Sequence, residues 1–185
     1  MTVTGRTVTG AVRWTHDAAL EVVRAVGDAE LAASRGSTAP PISFHLWHMA
    51  RWADRMAAHL RRELGDAGEP DPEVWVSGAW ARRFGFTDRD LGFGDTGMAL
   101  GDDVWEALPV PDRQVLVGYA EAAFHDANQV IKVAGSETGR PCTDLYGRPG
   151  TVAGVLVDHL THVNRHLGMI EALIGLTGRA GSASV

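Results

Sequence analysis

Two prolines followed by an unbroken apolar rhythm constrain this chain more than any other feature. After Pro40 and Pro41, the residues Ile42, Leu46, Met49, Ala53, Met56, Leu60 and Leu64 recur at steps of 4, 3, 4, 3, 4 and 4. Steps of three and four return side chains to one face of an α-helix, and proline suits a helix's first turn. The spacing predicts one continuous helix over residues 42–64, ending near Gly65, with Met49, Met56 and Leu60 buried. Such a helix cannot hide its stripe alone, so it needs partners of similar length.

Three further segments supply them. Residues 12–34 place Trp14, Ala18, Val22 or Val23, Val26 and Ala29 near helical spacing. Residues from about 112 to 134 offer Val115, Tyr119, Ala122, Ala123 and Val130 to a core. Residues 151–176 form a last helix with Thr151 as its N-cap. No strand run competes, so the fold class read from the sequence is all-α, a four-helix bundle. Residues 1–11 alternate Thr, Val and Gly without helical period and read as a mobile arm, and residues 177–185 read as a flexible tail. Residues 66–111, broken by Gly, Pro and Asp, read as a long irregular excursion between the second and third bundle helices, with helical pieces over 74–83 and 102–108. Connections of this length are often functional.

The chain has 185 residues and a mass of 19.8 kDa, a size for one domain. Lys+Arg 17 against Asp+Glu 23 gives a net charge of -6, and an acidic chain without a basic block is a poor nucleic-acid binder. No stretch approaches the ~18 apolar residues of a membrane span, and the first ten residues lack a signal peptide's apolar segment. Cys142 is the sole cysteine, which excludes an intrachain disulfide and suits a reducing cytoplasm. Lys132 is the sole lysine, and Ala, Gly and Val abound, a bias of a GC-rich bacterial genome.

The chemistry lies in the histidines. Five of the eight fall in two clusters, His45 and His48 on the second predicted helix and His159, His162 and His166 on the last. Residues three and four apart share a helix face, so His162 and His166 can converge on one ion, as can His159 and His162. His159 and His166 are two turns and ~10 Å apart, too far to share one. His48, beside Met49 on the edge of the buried stripe, is the best candidate for a third ligand. Three neutral imidazoles with open positions are the pattern of a catalytic divalent site.

The stretch HLWHMARWADRMAAHL at residues 45–60 and the stretch DHLTHVNRHLGMIEAL at residues 158–173 resemble the two signature helices of the DinB/YfiT-like superfamily of metalloenzymes, in its DinB_2 branch. The resemblance implies that His48, His162 and His166 hold a divalent metal, with Gly168 and Ile170 in the trailing positions of the motif. It favours His48 over His45, and the His162/His166 pair over His159. Zinc or nickel is expected before iron, since the family's iron-dependent sulfoxide synthases carry a second catalytic domain.

The resemblance further implies thiol chemistry, because mycothiol-dependent isomerases and mycothiol or bacillithiol S-transferases share this fold. The expected partners are therefore a low-molecular-weight thiol of the mycothiol type and a small-molecule electrophile, in a cytoplasmic protein of a family whose members often form homodimers. The alternative readings are a thiol-independent metalloenzyme, hydrolase or biosynthetic catalyst, and a metal-binding stress-response or binding protein without turnover. Around the histidines, Asp158 reads as a solvated carboxylate before it reads as a support for His162. Arg51, Arg55 and Arg165 are candidate contacts for anionic groups. Trp47, Trp52, Trp75, Trp80 and Trp105 are core anchors of which one or two wall a pocket. Residues 92–103 fail the spacing of a calcium loop and read as a turn-rich lid or connector.

Overall fold

The computed structural model describes residues 3–33, 39–65 and 72–179. Among them four long helices dominate: α1 (Val3–Ala25), α3 (Ile42–Leu64), α7 (Arg113–Ala134) and α8 (Val152–Gly175). Four short ones accompany them, α2 (Asp28–Ala32), α4 (Val74–Ser77), α5 (Trp80–Arg83) and α6 (Asp102–Glu106). The long helices close a ring of contacts, α1 on α8, α8 on α3, α3 on α7 and α7 on α1.

The predicted limits of α3 hold to the residue, from Pro41 as N-cap to Gly65 as C-cap. Met49, Met56 and Leu60 are fully buried. The helix is covered nearly all round, so it also buries Ser43, His45, His48, Arg51, Asp54 and His59. A helix so enclosed must satisfy each of those polar groups internally.

The N-terminal expectation needs correcting. Residues 3–11 are not an arm but helix, which begins at Val3, and Met1 and Thr2 of that segment lie outside the described residues. Val8 packs against the core, and tertiary packing of this kind overrides weak helix propensity. The helix also does not run to residue 34. It stops at Ala25, where Arg113 donates to the carbonyls of Val23 (3.2 Å) and Val26. The chain restarts at α2 after Gly27, whose N–H donates to Glu30 (2.7 Å). Trp14 is 65% exposed; the true inner stripe is Val12, Thr15, His16, Ala19 and Val23. Two polar residues belong to it, and counting apolar residues therefore misplaced the face.

The absence of strands was also overstated, since β1 (Pro141–Thr143) and β2 (Pro149–Thr151) form a small antiparallel hairpin. It leads into α8, where Thr151 caps the helix by accepting from the Gly154 N–H (3.2 Å). Of the predicted tail, Thr177 and Arg179 both reach Glu30, and residues 180–185 lie outside the described set.

The excursion over residues 72–111 is moored to one turn of α3. Asp54 accepts from the N–H groups of Val74 and Trp75 (2.8 Å each) and from the Tyr119 hydroxyl (3.0 Å). Arg51 donates to Asp54 (3.0 Å), Glu73 (2.7 Å), and the carbonyls of Asp95 (2.9 Å) and Gly94 (3.1 Å). The start of the excursion and its middle loop thus hang from a buried ion pair.

Breaking a buried pair from one side strands the other charge, typically at about 3–5 kcal/mol. Asp54→Ala is therefore expected to lower unfolding stability in urea by about that amount, whereas Trp14→Ala on the exposed face is expected to change it by about 0.5 kcal/mol or less. Equal effects would show that the cluster does not anchor the excursion.

Candidate metal centre

His48 lies on the face of α3 that meets α8, and His162 and His166 lie one turn apart on the facing side of α8. Each of the three offers a ring nitrogen within 4.8 Å of the others'. The centroids of their rings stand 4.9 Å (His48 to His162), 4.5 Å (His48 to His166) and 4.6 Å (His162 to His166) apart. The Nε2 atoms of His48 and His162 face each other at 3.0 Å.

The loop of the excursion fixes the His48 ring. Its Nδ1–H donates to the Thr96 carbonyl at 2.5 Å, which leaves the lone pair on Nε2, turned toward His162. The backbone at Gly97 has φ +85°, and a Cβ there would come within 2.7 Å of Trp47 and 3.3 Å of His48 Nδ1. Glycine is required at this close approach. Residues 92–103 are thus a connector that sets a histidine tautomer, which the sequence could not reveal because the accepting atom is backbone.

The rival histidines have other partners. His45 turns its Nδ1 to Nδ1 of His166 at 3.0 Å, so it supports one of the three rings. His159 is buried and turns away toward α1, with Nε2 at 3.1 Å from Nε2 of His16. His16 in turn meets Asn128 Oδ1 at 3.0 Å through Nδ1 and stacks on Phe124 with centroids 4.2 Å apart. This buried chain of polar side chains gave no sequence signal, since its members lie on three separate helices.

Burial, helped by the charge of neighbouring rings, holds the imidazoles neutral. Burial depresses His48 to about 4, against the pull of the Thr96 carbonyl. Burial together with His48 depresses His45 to about 4 and, with Arg165, His162 to about 3. His166 falls to about 2 through burial and the neighbouring His48, His162, His45 and Arg165. Neutral imidazoles present lone pairs, and His162 Nδ1 is buried without a hydrogen-bond partner. A cluster of neutral nitrogen donors with one of them unsatisfied suits a divalent cation of the borderline class.

A pocket of about 80 Å³ adjoins the cluster at His162, lined by Trp52, Asp144, Leu145, Tyr146, Val155, Asp158 and His159. Trp52 also packs edge-on against the His162 ring, centroids 5.5 Å apart. Trp52 walls this pocket and Trp47 and Trp105 line a second, smaller one beside Pro41 and Pro109, while Trp75 and Trp80 are core anchors. Asp158 is exposed at the rim. Arg51 is taken up by the buried ion pair and Arg55 lies over Phe93 at 5.0 Å. Burial, with Glu63 next in weight, pushes the Cys142 thiol up, so nothing activates it as a nucleophile.

The depressed histidines set a pH dependence. Unfolded, each takes its proton near 6.5; folded, His16, His45 and His48 stay neutral down to about 4. Between these values the unfolded chain holds more protons, so stability rises with pH and is lost on acidification, by up to about 1.4 kcal/mol per pH unit for each group. Metal-free protein is expected to show a urea midpoint that drops steeply from pH 6.5 to pH 4.5, and His16→Phe is expected to flatten that slope. A midpoint independent of pH in this window would contradict the burial of neutral imidazoles.

Comparison with known proteins adds two findings. The chain superimposes on the crystal structure of a conserved protein of locus from Enterococcus faecalis with a TM-score of 0.68, covering 95% of this chain and 99% of the other at 18% identity, a likeness of fold. None of the curated proteins compared with it matches significantly. A sequence model of the DinB superfamily matches residues 11–170, a span holding all three converging histidines and the loop that orients the first, and the chain accordingly belongs to the DinB superfamily.

Proposed function

We propose that this chain is a four-helix-bundle metalloenzyme of the DinB type. His48, His162 and His166 hold a divalent ion, zinc or nickel, and the protein uses a low-molecular-weight thiol of the mycothiol type to transfer to, isomerise or detoxify a small electrophile in the cytoplasm. The observation that carries this reading is the convergence of three neutral, mostly buried imidazoles beside a pocket large enough to admit a small ligand. Bound there, a divalent cation would keep its full charge and lower the pKa of a thiol placed on it, supplying thiolate near neutral pH.

The chain's own residues prepare the place for that chemistry. Thr96 holds the His48 tautomer, and His45 steadies His166. Trp52 packs against the His162 ring and Tyr146 against Trp52, centroids 6.1 Å apart, and the hairpin turn carrying Asp144, Leu145 and Tyr146 lines the same pocket.

Elemental analysis and turnover test the two halves of the reading. His48→Ala, His162→Ala and His166→Ala are each expected to abolish metal retention, and His159→Ala to keep it. His45→Ala, which removes only a supporting hydrogen bond, is expected to weaken metal affinity by about 10 to 100-fold. With metal bound, incubation with mycothiol and a panel of electrophiles is expected to yield thiol conjugates detectable by mass spectrometry. Loss of metal in His159→Ala but not in His166→Ala would overturn the ligand set, and metal without any thiol conjugate would leave a metal-binding protein without this activity.

A further inference from the structure

Apart from the Tyr146 hydroxyl, which donates to Met98 Sδ at 3.6 Å, the polar groups offered by the pocket beside His162 are hydrogen-bond acceptors. Among its eight lining residues none is lysine or arginine, and two are aspartates. Asp144 is already satisfied, by Arg148 at 2.6 Å and by the N–H groups of Tyr146 and Arg148. Asp158 is exposed and has no ion-pair or hydrogen-bond partner among the described residues. The one indole donor in the wall, Trp52 Nε1, is sealed from the pocket.

The second acceptor is His159, which is 3% exposed. Asn128 Oδ1 can only accept, so the proton between it and His16 sits on His16 Nδ1. His16 Nε2 then carries a lone pair, and the 3.1 Å contact requires His159 Nε2 to donate. The remaining nitrogen of His159, Nδ1, is an acceptor without a partner among the described residues, on a ring that borders the pocket. Three residues on three helices thus fix the polarity of one pocket wall. The apolar walls are the rings of Trp52 and Tyr146, and the latter already holds the Arg148 guanidinium at 5.3 Å on one side, the geometry by which aromatic faces attract cations.

We propose that this pocket is a subsite for an ammonium group of the substrate, paired with the Asp158 carboxylate, hydrogen-bonded to His159 Nδ1 and flanked by Trp52 and Tyr146. The subsite deepens the functional reading above and rests on it for the pocket's role. It assigns the substrate a class, a small amine, and excludes ligands whose pocket end is a carboxylate. The Asn128–His16 pair becomes a positioning device, because reversing the tautomer would turn His159 from acceptor to donor.

The test uses protein as purified, with its metal content fixed, and small probes followed by amide and indole NMR shifts at Asp158 and Trp52. The probes are cysteamine, 2-mercaptoethanol and 3-mercaptopropionate, with ethanolamine and 3-hydroxypropionate as the hydroxyl counterparts of the charged pair. The ammonium probe is expected to bind about 5 to 10-fold tighter than the carboxylate probe in both series, the strength of one partly exposed ion pair. Asp158→Asn, a surface change that leaves the fold intact, is expected to bring the two within about twofold, while nitrogen NMR of His159 shows its proton on Nε2. Equal or tighter binding of the carboxylate or the neutral probe, no binding of any probe, or a preference unchanged in Asp158→Asn would overturn the proposal. Thiol and hydroxyl probes binding alike would instead count against thiol activation and leave the ammonium subsite standing.

Discussion

Arg51 and Asp54, three residues apart on α3, place opposite charges where neither touches water, and much of the molecule is arranged to satisfy them. Beyond the Tyr119 hydroxyl on α7, which both of them meet, each bonds the excursion: Asp54 the amides that start α4, Arg51 Glu73 and the carbonyls of the loop at Gly94 and Asp95. Burying two charges is costly unless every donor and acceptor is met, and that requirement ties a long irregular segment to one place on the helix. The same loop then delivers the Thr96 carbonyl to His48, one turn before Arg51. A structural ion pair and a candidate metal ligand are in this way held by the same few residues.

The electrostatics of the cluster follow from its surroundings. Among the described residues no carboxylate joins the three imidazoles, and burial keeps them neutral, so a bound cation would not be neutralised by these ligands. Carboxylate ligands would give a hard site that damps the ion's charge; imidazoles leave it available to polarise a ligand. The acidic groups Asp144 and Asp158 instead line the pocket that adjoins the cluster at His162.

How much of this was legible in the sequence depends on the kind of interaction. The α3 limits were readable because the 4-3 rhythm, the prolines and Gly65 all point the same way. The three histidines were readable because helical spacing lets His162 share a face with His166 or with His159 and puts His48 at the edge of the buried stripe, and the family motif then selects His48, His162 and His166. The inner face of α1 was not, because Thr15 and His16 occupy core positions as polar residues: Thr15 is bonded to Asn164 (3.0 Å) and His16 to Asn128 and His159. Nothing local marks a polar residue as one that will find its partner on another helix. The hairpin over residues 141–151 was missed since its strands are three residues each, too short for any alternation to register. Likewise, the support that Thr96 gives His48 comes from a backbone oxygen placed by loop geometry, for which a side-chain pattern carries no trace.

The central claim is that three imidazoles from two facing helices bind one divalent ion. X-ray absorption at the metal edge of zinc-loaded protein addresses it directly. The spectrum should show nitrogen scatterers at about 2.0–2.1 Å with the outer-shell signature of imidazole rings fitted to three per metal, and no sulfur near 2.3 Å. A sulfur shell in the absence of added thiol, or an all-oxygen environment without imidazole features, would contradict it.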